Sequence, residues 1–298
     1  LLWALIAVLT SVFYLNGVLR LRRRGDTWPV MRTVSWVTGM ALLVFATSSG
    51  LYVYGLFLFS VHMLAHMILS MAIPLLLVLG TPVTLAARAI EARKDGSRGP
   101  REWILGVVNS RYLKILGHPL VAAPLFGLSL IVFYYSPLFA WALEDHLGHV
   151  WMTAHFLLTG YLFNLVLLDA DPHPHRPRYP LRLVLVLATM AFHAFFGLGL
   201  ILGGDLLVPE WFGATGREWG PTPLADQQQG GEIAWGLGEF PTIILAILIT
   251  WAWSRSDERE QKRRDRQADR TDDAELAAYN DMLRKRAEAE ARSGVNRS

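Results

Sequence analysis

Long apolar runs, broken by short polar clusters, set the pattern of this chain. Crossing a bilayer takes ~20 mostly apolar residues as a helix. Seven stretches qualify: residues 1–19, 33–50, 52–79, 119–140, 148–168, 181–202 and 233–253. The pattern therefore predicts an all-α, polytopic seven-transmembrane-helix bundle over residues 1–254. Within the third stretch, Pro74 is expected to kink the helix, and Gly80-Thr81-Pro82 to stop it. Residues 255–298 are a different material, charged and polar almost throughout. There Thr271-Asp272-Asp273 offers cap chemistry for a helix near 273–292. Its apolar stripe of Leu276, Tyr279, Leu283 and Ala287 is narrow, which reads as a solvated helix or as a docking face.

Charge adds orientation. The loops on one side carry fifteen arginines and lysines, from Arg20 through Arg88 to Arg182, against Arg217 alone on the other. By the positive-inside bias the N-terminus lies outside and the C-terminus in the cytoplasm. Topology accounts for the basic clusters, so no nucleic acid is implied. The chain contains no cysteine, which removes disulfides and thiolate metal sites. It opens Leu-Leu-Trp without Met or a basic signal region, as a part of something longer would. No Gly-rich phosphate loop or nucleophile elbow is present, and no enzyme activity is expected.

The candidate chemistry lies inside the apolar stretches. His62 and His66 are one helical turn apart in the third, flanked by Met63 and Met67; His155, His193 and Glu239 lie in the fifth, sixth and seventh. At ~1.5 Å per residue, these groups fall about 10–18 Å below the outer helix ends. That gathers them in the outer half of the membrane, while the inner half holds almost none. Ionisable groups at such depth are costly and read as functional candidates. Imidazole with thioether suits copper, because soft sulfur favours Cu(I). The bland alternative is a set of neutral histidines hydrogen-bonded within the bundle. Near the outer mouth, Asp226, Gln227 and Gln228 form a polar group that could receive a metal, cap the seventh helix or meet a partner. His146 and His149, at the same surface, could serve as an access relay.

The ordered set Ser60-Val61-His62-Met63-Leu64-Ala65-His66-Met67, Pro74…Gly80-Thr81-Pro82, His118-Pro119, His149…His155, Met190…His193…Gly197 and Asp226-Gln227-Gln228…Gly231…Trp235 resembles the CtaG-type cytochrome c oxidase assembly factors. The resemblance covers about residues 1–253 and leaves out the tail. It implies a multi-pass protein of the bacterial cytoplasmic membrane with haem–copper oxidase subunits as partners. Members of the family are implicated in supplying copper, and some are fused behind a CopD-like copper-resistance membrane domain. Carried over, the family's histidine motif falls on His62 and His66, its later histidines on His155 and His193, and its acid–glutamine motif on Asp226, Gln227 and Gln228.

The combined expectation is a copper-binding assembly factor. His62, His66, His155 and His193 are its ligands, Met63 and Met67 favour Cu(I), and Glu239 supplies counter-charge. Its rivals are a metal-free structural partner of a respiratory complex and a haem- or quinone-binding redox protein.

Overall fold

A computed structural model describes residues 1–91, 97, 99–271 and 274–295. Arg93, Lys94 and Arg98, counted among the basic loop residues, lie outside it, as do Asp272 and Asp273 of the expected cap. The chain is all-helical, 82% helix with no strand among the described residues. Residues Leu1–Ile249 form one compact unit and Thr250–Ser298 a second.

The first unit opens with α1 (Leu2–Arg23), α2 (Val30–Ser48) and the short α3 (Gly50–Gly55). The expected third span does not run as one helix from Tyr52. It starts afresh at α4 (Phe59–Met67), passes through a π-helical turn (Ile68–Ala72), and continues as α5 (Ile73–Leu79) and α6 (Pro82–Ala89). Pro74 explains the π turn. It has no N–H to offer the Ser70 carbonyl four residues back, and the Ile73 N–H reaches instead to the Ile68 carbonyl, five back. The freed Ser70 carbonyl faces Gly160 of a neighbouring helix, where a Cβ would overlap it. As expected, the helix stops before Thr81, whose left-handed backbone (φ 48°) separates α5 from α6.

Next come α7 (Pro100–Val108), α8 (Arg111–Leu116), α9 (Pro119–Tyr134) and α10 (Pro137–Glu144). The expected fourth span, 119–140, is cut at Ser136. A residue before proline is pushed out of the helical region, and the Ser136 hydroxyl caps the new helix by accepting from the Leu138 N–H. At 16 residues, α9 is about 24 Å long and short of a full crossing. Among the described residues six helical runs are long and apolar enough to span; a seventh requires counting residues 100–116 with α9, across a bend of 66°.

α11 (His146–Leu168), α12 (Tyr179–Leu202), the one-turn α13 (Pro209–Phe212) and α14 (Pro223–Thr271) follow. α14 begins ten residues ahead of the expected seventh span, so Asp226, Gln227 and Gln228 belong to its first turns and not to a loop. The second unit includes α15 (Ala274–Val295), close to the expected tail helix. Its ion pairs, such as Arg286–Glu290 and Lys285–Asp281, are exposed and contribute little. Tyr279 and Leu283 of the apolar stripe are exposed as well.

At the arginine-rich end of the first unit, two aspartates organise the turn between α11 and α12. Asp171 accepts from the Val83 and Thr84 N–H groups at 2.9 and 2.8 Å, capping α6 from 88 and 87 residues away. Asp169 bonds His173 at 2.9 Å and pairs with Arg182 at 3.2 Å. His173, in the segment between the two helices, is thus buried against Asp169. Burial opposes ionisation of Asp169, but the His173 hydrogen bond and the charges of His173, Arg176 and Arg182 outweigh it and hold its carboxyl below the ordinary aspartate value of 3.8. A depressed carboxylate stabilises the fold fully above its unfolded pKa and loses that contribution as pH falls through the folded one. Amide exchange over residues 169–182 should therefore stay slow at neutral pH and accelerate below about pH 3.8. In Asp169→Asn the acid-dependent step should vanish; an unchanged step would mean another group controls it.

Candidate functional site

Helix α4 begins at Phe59, so His62 and His66 occupy its first two turns. Both are buried, as are Met63 and Met67. Their common burial follows from spacing: residues 62, 63, 66 and 67 share one broad helical face. α3 folds over the start of this helix, and Gly55 is the point of contact. A Cβ there would stand 3.3 Å from the His62 Cα.

The His62 Nε2 lies 3.1 Å from the Tyr134 hydroxyl of α9, which leaves Nδ1 as its second nitrogen. The His66 ring stands edge-on to Phe156 at 4.2 Å between centroids. Its Nε2 is buried with no hydrogen-bond partner among the described residues. A buried polar nitrogen without a partner needs an explanation such as an unseen water or ion. Beside the pair is a cavity of about 40 Å³, whose lining includes His62, His66, His149, Met152 and Thr153. That is room for an ion or a water or two.

The remaining expected ligands are arranged differently. His66 is the central imidazole of the set, with His62, His155 and His193 all within reach of its field. The half-buried His155 ring stacks on Trp151 at 5.0 Å, on the outward side of α11. His193 is buried, with Nδ1 3.1 Å from the Thr189 carbonyl oxygen and its ring beside Gly238. Glu239 stands at the level of His193 but turns away: it accepts from the Trp235 indole at 2.6 Å, and Trp235 is exposed. Neither His155, His193 nor Glu239 lines the cavity; His149 does. Among the described residues no three His, Asp or Glu side chains converge as a metal cage. The cavity thus brings His62, His66 and His149 together with one thioether, that of Met152, on its wall.

Asp226 does not cap its own helix. Its carboxylate accepts from the Phe59 N–H at 2.7 Å and the Ser60 N–H at 3.3 Å, and from the Ser60 hydroxyl at 2.5 Å. It therefore caps α4 from 167 residues away, with the buried Arg217 guanidinium 3.6 Å from the oxygen that serves Phe59. Gln227 clamps the 203–208 segment: it accepts from the Leu207 N–H at 2.8 Å and donates to the Asp205 carbonyl at 2.9 Å. Gln228 is half-buried and takes part in neither set of contacts. The acid–glutamine motif thus fixes the mouth in place, and the histidine helix hangs from it.

Three contributors escaped sequence reasoning. Met152 sits three residues from His155 and was available to the same helical arithmetic. Tyr134 and Arg217 come from separate elements, and no spacing rule connects them to His62 or Asp226.

The fold and site define a multi-pass helical membrane protein with a buried histidine pair near one end of its bundle. The family of cytochrome c oxidase caa3 assembly factors (Caa3_CtaG) matches residues 12–256, and the chain belongs to that family. An uncharacterized protein of Mycobacterium leprae (strain TN) is 45% identical over 280 residues, covering 93% of this chain and 42% of that protein. Uncharacterized proteins of Mycobacterium bovis (strain ATCC BAA-935 / AF2122/97) and Mycobacterium tuberculosis (strain CDC 1551 / Oshkosh) are each 44% identical over 279 residues, with the same coverage. The chain thus spans less than half the length of these relatives. No solved structure matches it.

Proposed function

We propose that this chain takes up cuprous copper as cargo between His62 and His66 and passes it to a haem–copper oxidase during assembly. The observation that carries the proposal is the buried, unpartnered His66 Nε2 beside His62 at the small cavity. Imidazoles with a thioether on the wall suit Cu(I), and a site without a full cage can release its cargo by ligand exchange. Met63 and Met67, buried next to the pair, offer further sulfur. His149 lines the same cavity and would be a further exchange partner, while His155 and His193 lie outside it. In this reading the histidine end faces outward and the arginine-rich end the bacterial cytoplasm. The oxidase partner and a fused copper-resistance domain in the longer relatives belong to the same proposal.

A second reading has its own observation. His62 and His193 already have hydrogen-bond partners within the protein, as histidines serving only structure would. A haem is disfavoured, because about 40 Å³ admits no macrocycle.

Metal analysis with an optical spectrum discriminates among the three. After anaerobic Cu(I) loading and desalting, the wild-type protein is expected to retain about one copper per chain, and His62→Ala/His66→Ala essentially none. A wild-type protein that retains no copper supports the structural reading. A Soret band would make the chain a cytochrome.

A further inference from the structure

Far from the histidines, a second cavity of about 570 Å³ opens between α1, α2, α6 and α7. Its walls are mostly apolar, with Phe13, Trp36, Leu85, Ala86 and Ile104 among them, while Asn16 and Arg20 supply a polar end. Phe13 is 75% exposed and marks the side open to the bilayer. Along α1 the groove runs from Thr10 to Arg20, about 15 Å at the helical rise. That is half of the ~30 Å hydrocarbon core, the depth of one leaflet.

Charge and hydrogen bonding specify the occupant. Arg20, the one arginine on the groove wall, makes no ion pair among the described residues, whereas Arg24, Arg88 and Arg101 are engaged. Arg24 pairs with Glu91 at 3.0 Å, Arg88 with Asp26 at 3.9 Å, and Arg101 donates to the Ala87 carbonyl at 2.9 Å. Trp36 is 7% exposed and its indole N–H has no partner among the described residues. An apolar trough one leaflet deep, ending at an arginine, matches an acyl chain below a phosphate. Guanidinium is the side chain best suited to phosphate oxygens. A zwitterionic headgroup would bring a cation into a rim that is already basic.

We infer that this groove binds one acyl chain of an anionic phospholipid, with the lipid phosphate at Arg20. The site is independent of the histidine pair. The test is native mass spectrometry of the delipidated full chain, titrated with phosphatidylglycerol or phosphatidylcholine of identical acyl chains. One phosphatidylglycerol should bind with a preference of about fivefold or more, the size expected of one basic contact at the membrane surface. Arg20→Gln should abolish that preference, and Ala86→Trp, which fills the trough, should abolish retention of both lipids. Equal binding of the two lipids by the wild-type protein would overturn the inference, as would a preference unchanged in Arg20→Gln. The latter measurement decides the matter even if the tryptophan variant does not fold.

Discussion

Asp226→Ala is expected to destabilise the bundle by about 3–5 kcal/mol, the typical cost of breaking a buried charge pair by removing one partner. The side chain is 1% exposed and its Arg217 partner 5%, so neither can turn to water for compensation. Its loss strands the Phe59 and Ser60 N–H groups, the Ser60 hydroxyl and the guanidinium together. Unfolding in mixed detergent micelles, followed by tryptophan fluorescence, measures the loss. Asp226→Asn keeps one acceptor oxygen for the cap but loses the second and the charge for Arg217, and should fall between wild type and alanine. Asp226→Ala/Arg217→Leu should recover part of the loss, because the stranded charge goes with its partner. A single alanine variant within about 0.5 kcal/mol of wild type would show that the carboxylate matters little, as at an ordinary surface site.

Gly160→Ala carries the second large effect, on the order of 3 kcal/mol, at the upper end for overpacking. The obstacle to the new methyl group is backbone, the Ser70 carbonyl, backed by the Pro74 ring at 2.9 Å. No rotamer relieves a clash with main chain, so α11 must move away from the π turn. That separation also takes the Gly160 backbone away from a carbonyl that Pro74 cannot satisfy, and an unsatisfied carbonyl in hydrocarbon costs several kcal/mol. Pro74→Ala in the same background should restore part of the stability, since an N–H at 74 lets the helix close on itself and retract the carbonyl. The double variant being no better than Gly160→Ala alone would refute this coupling. Thermal unfolding of the three proteins in one detergent provides the comparison.

Much of this architecture is written in local pattern. Apolar length located the crossings near α1, α2, α11 and α12, and Gly80-Thr81-Pro82 marked a real stop. Proline rules applied less fully. At Pro74 the helix passes through a π turn, and room for the displaced Ser70 carbonyl depends on Gly160, 90 positions away. Pro137 was legible as a breaker, yet it lies inside an apolar run whose length argued for one continuous span. At the site, helical spacing placed His62, His66, Met63 and Met67 on one buried face. It could not decide which face of α11 meets that pair, and so ranked His155 above His149, although the cavity is lined by His149. Capping of the seventh helix is one of three roles the sequence offers for Asp226, and the cap it makes is on α4 instead. A cap donated across 167 residues leaves no trace in sequence spacing.

The run from Phe59 to Ala89 has both of its helix starts closed by carboxylates that are made much later, Asp171 for α6 and Asp226 for α4. During synthesis this segment enters the bilayer with both sets of N–H groups still waiting. The α6 start is completed once residue 171 has emerged, and the α4 start only when residue 226 has, close to the end of the membrane portion. Order of insertion and order of completion therefore differ: α4 is delivered before α11 and α12 but capped only after them. The histidine pair, seated in the first two turns of α4, reaches its final geometry only after nearly all of the bundle is in the membrane.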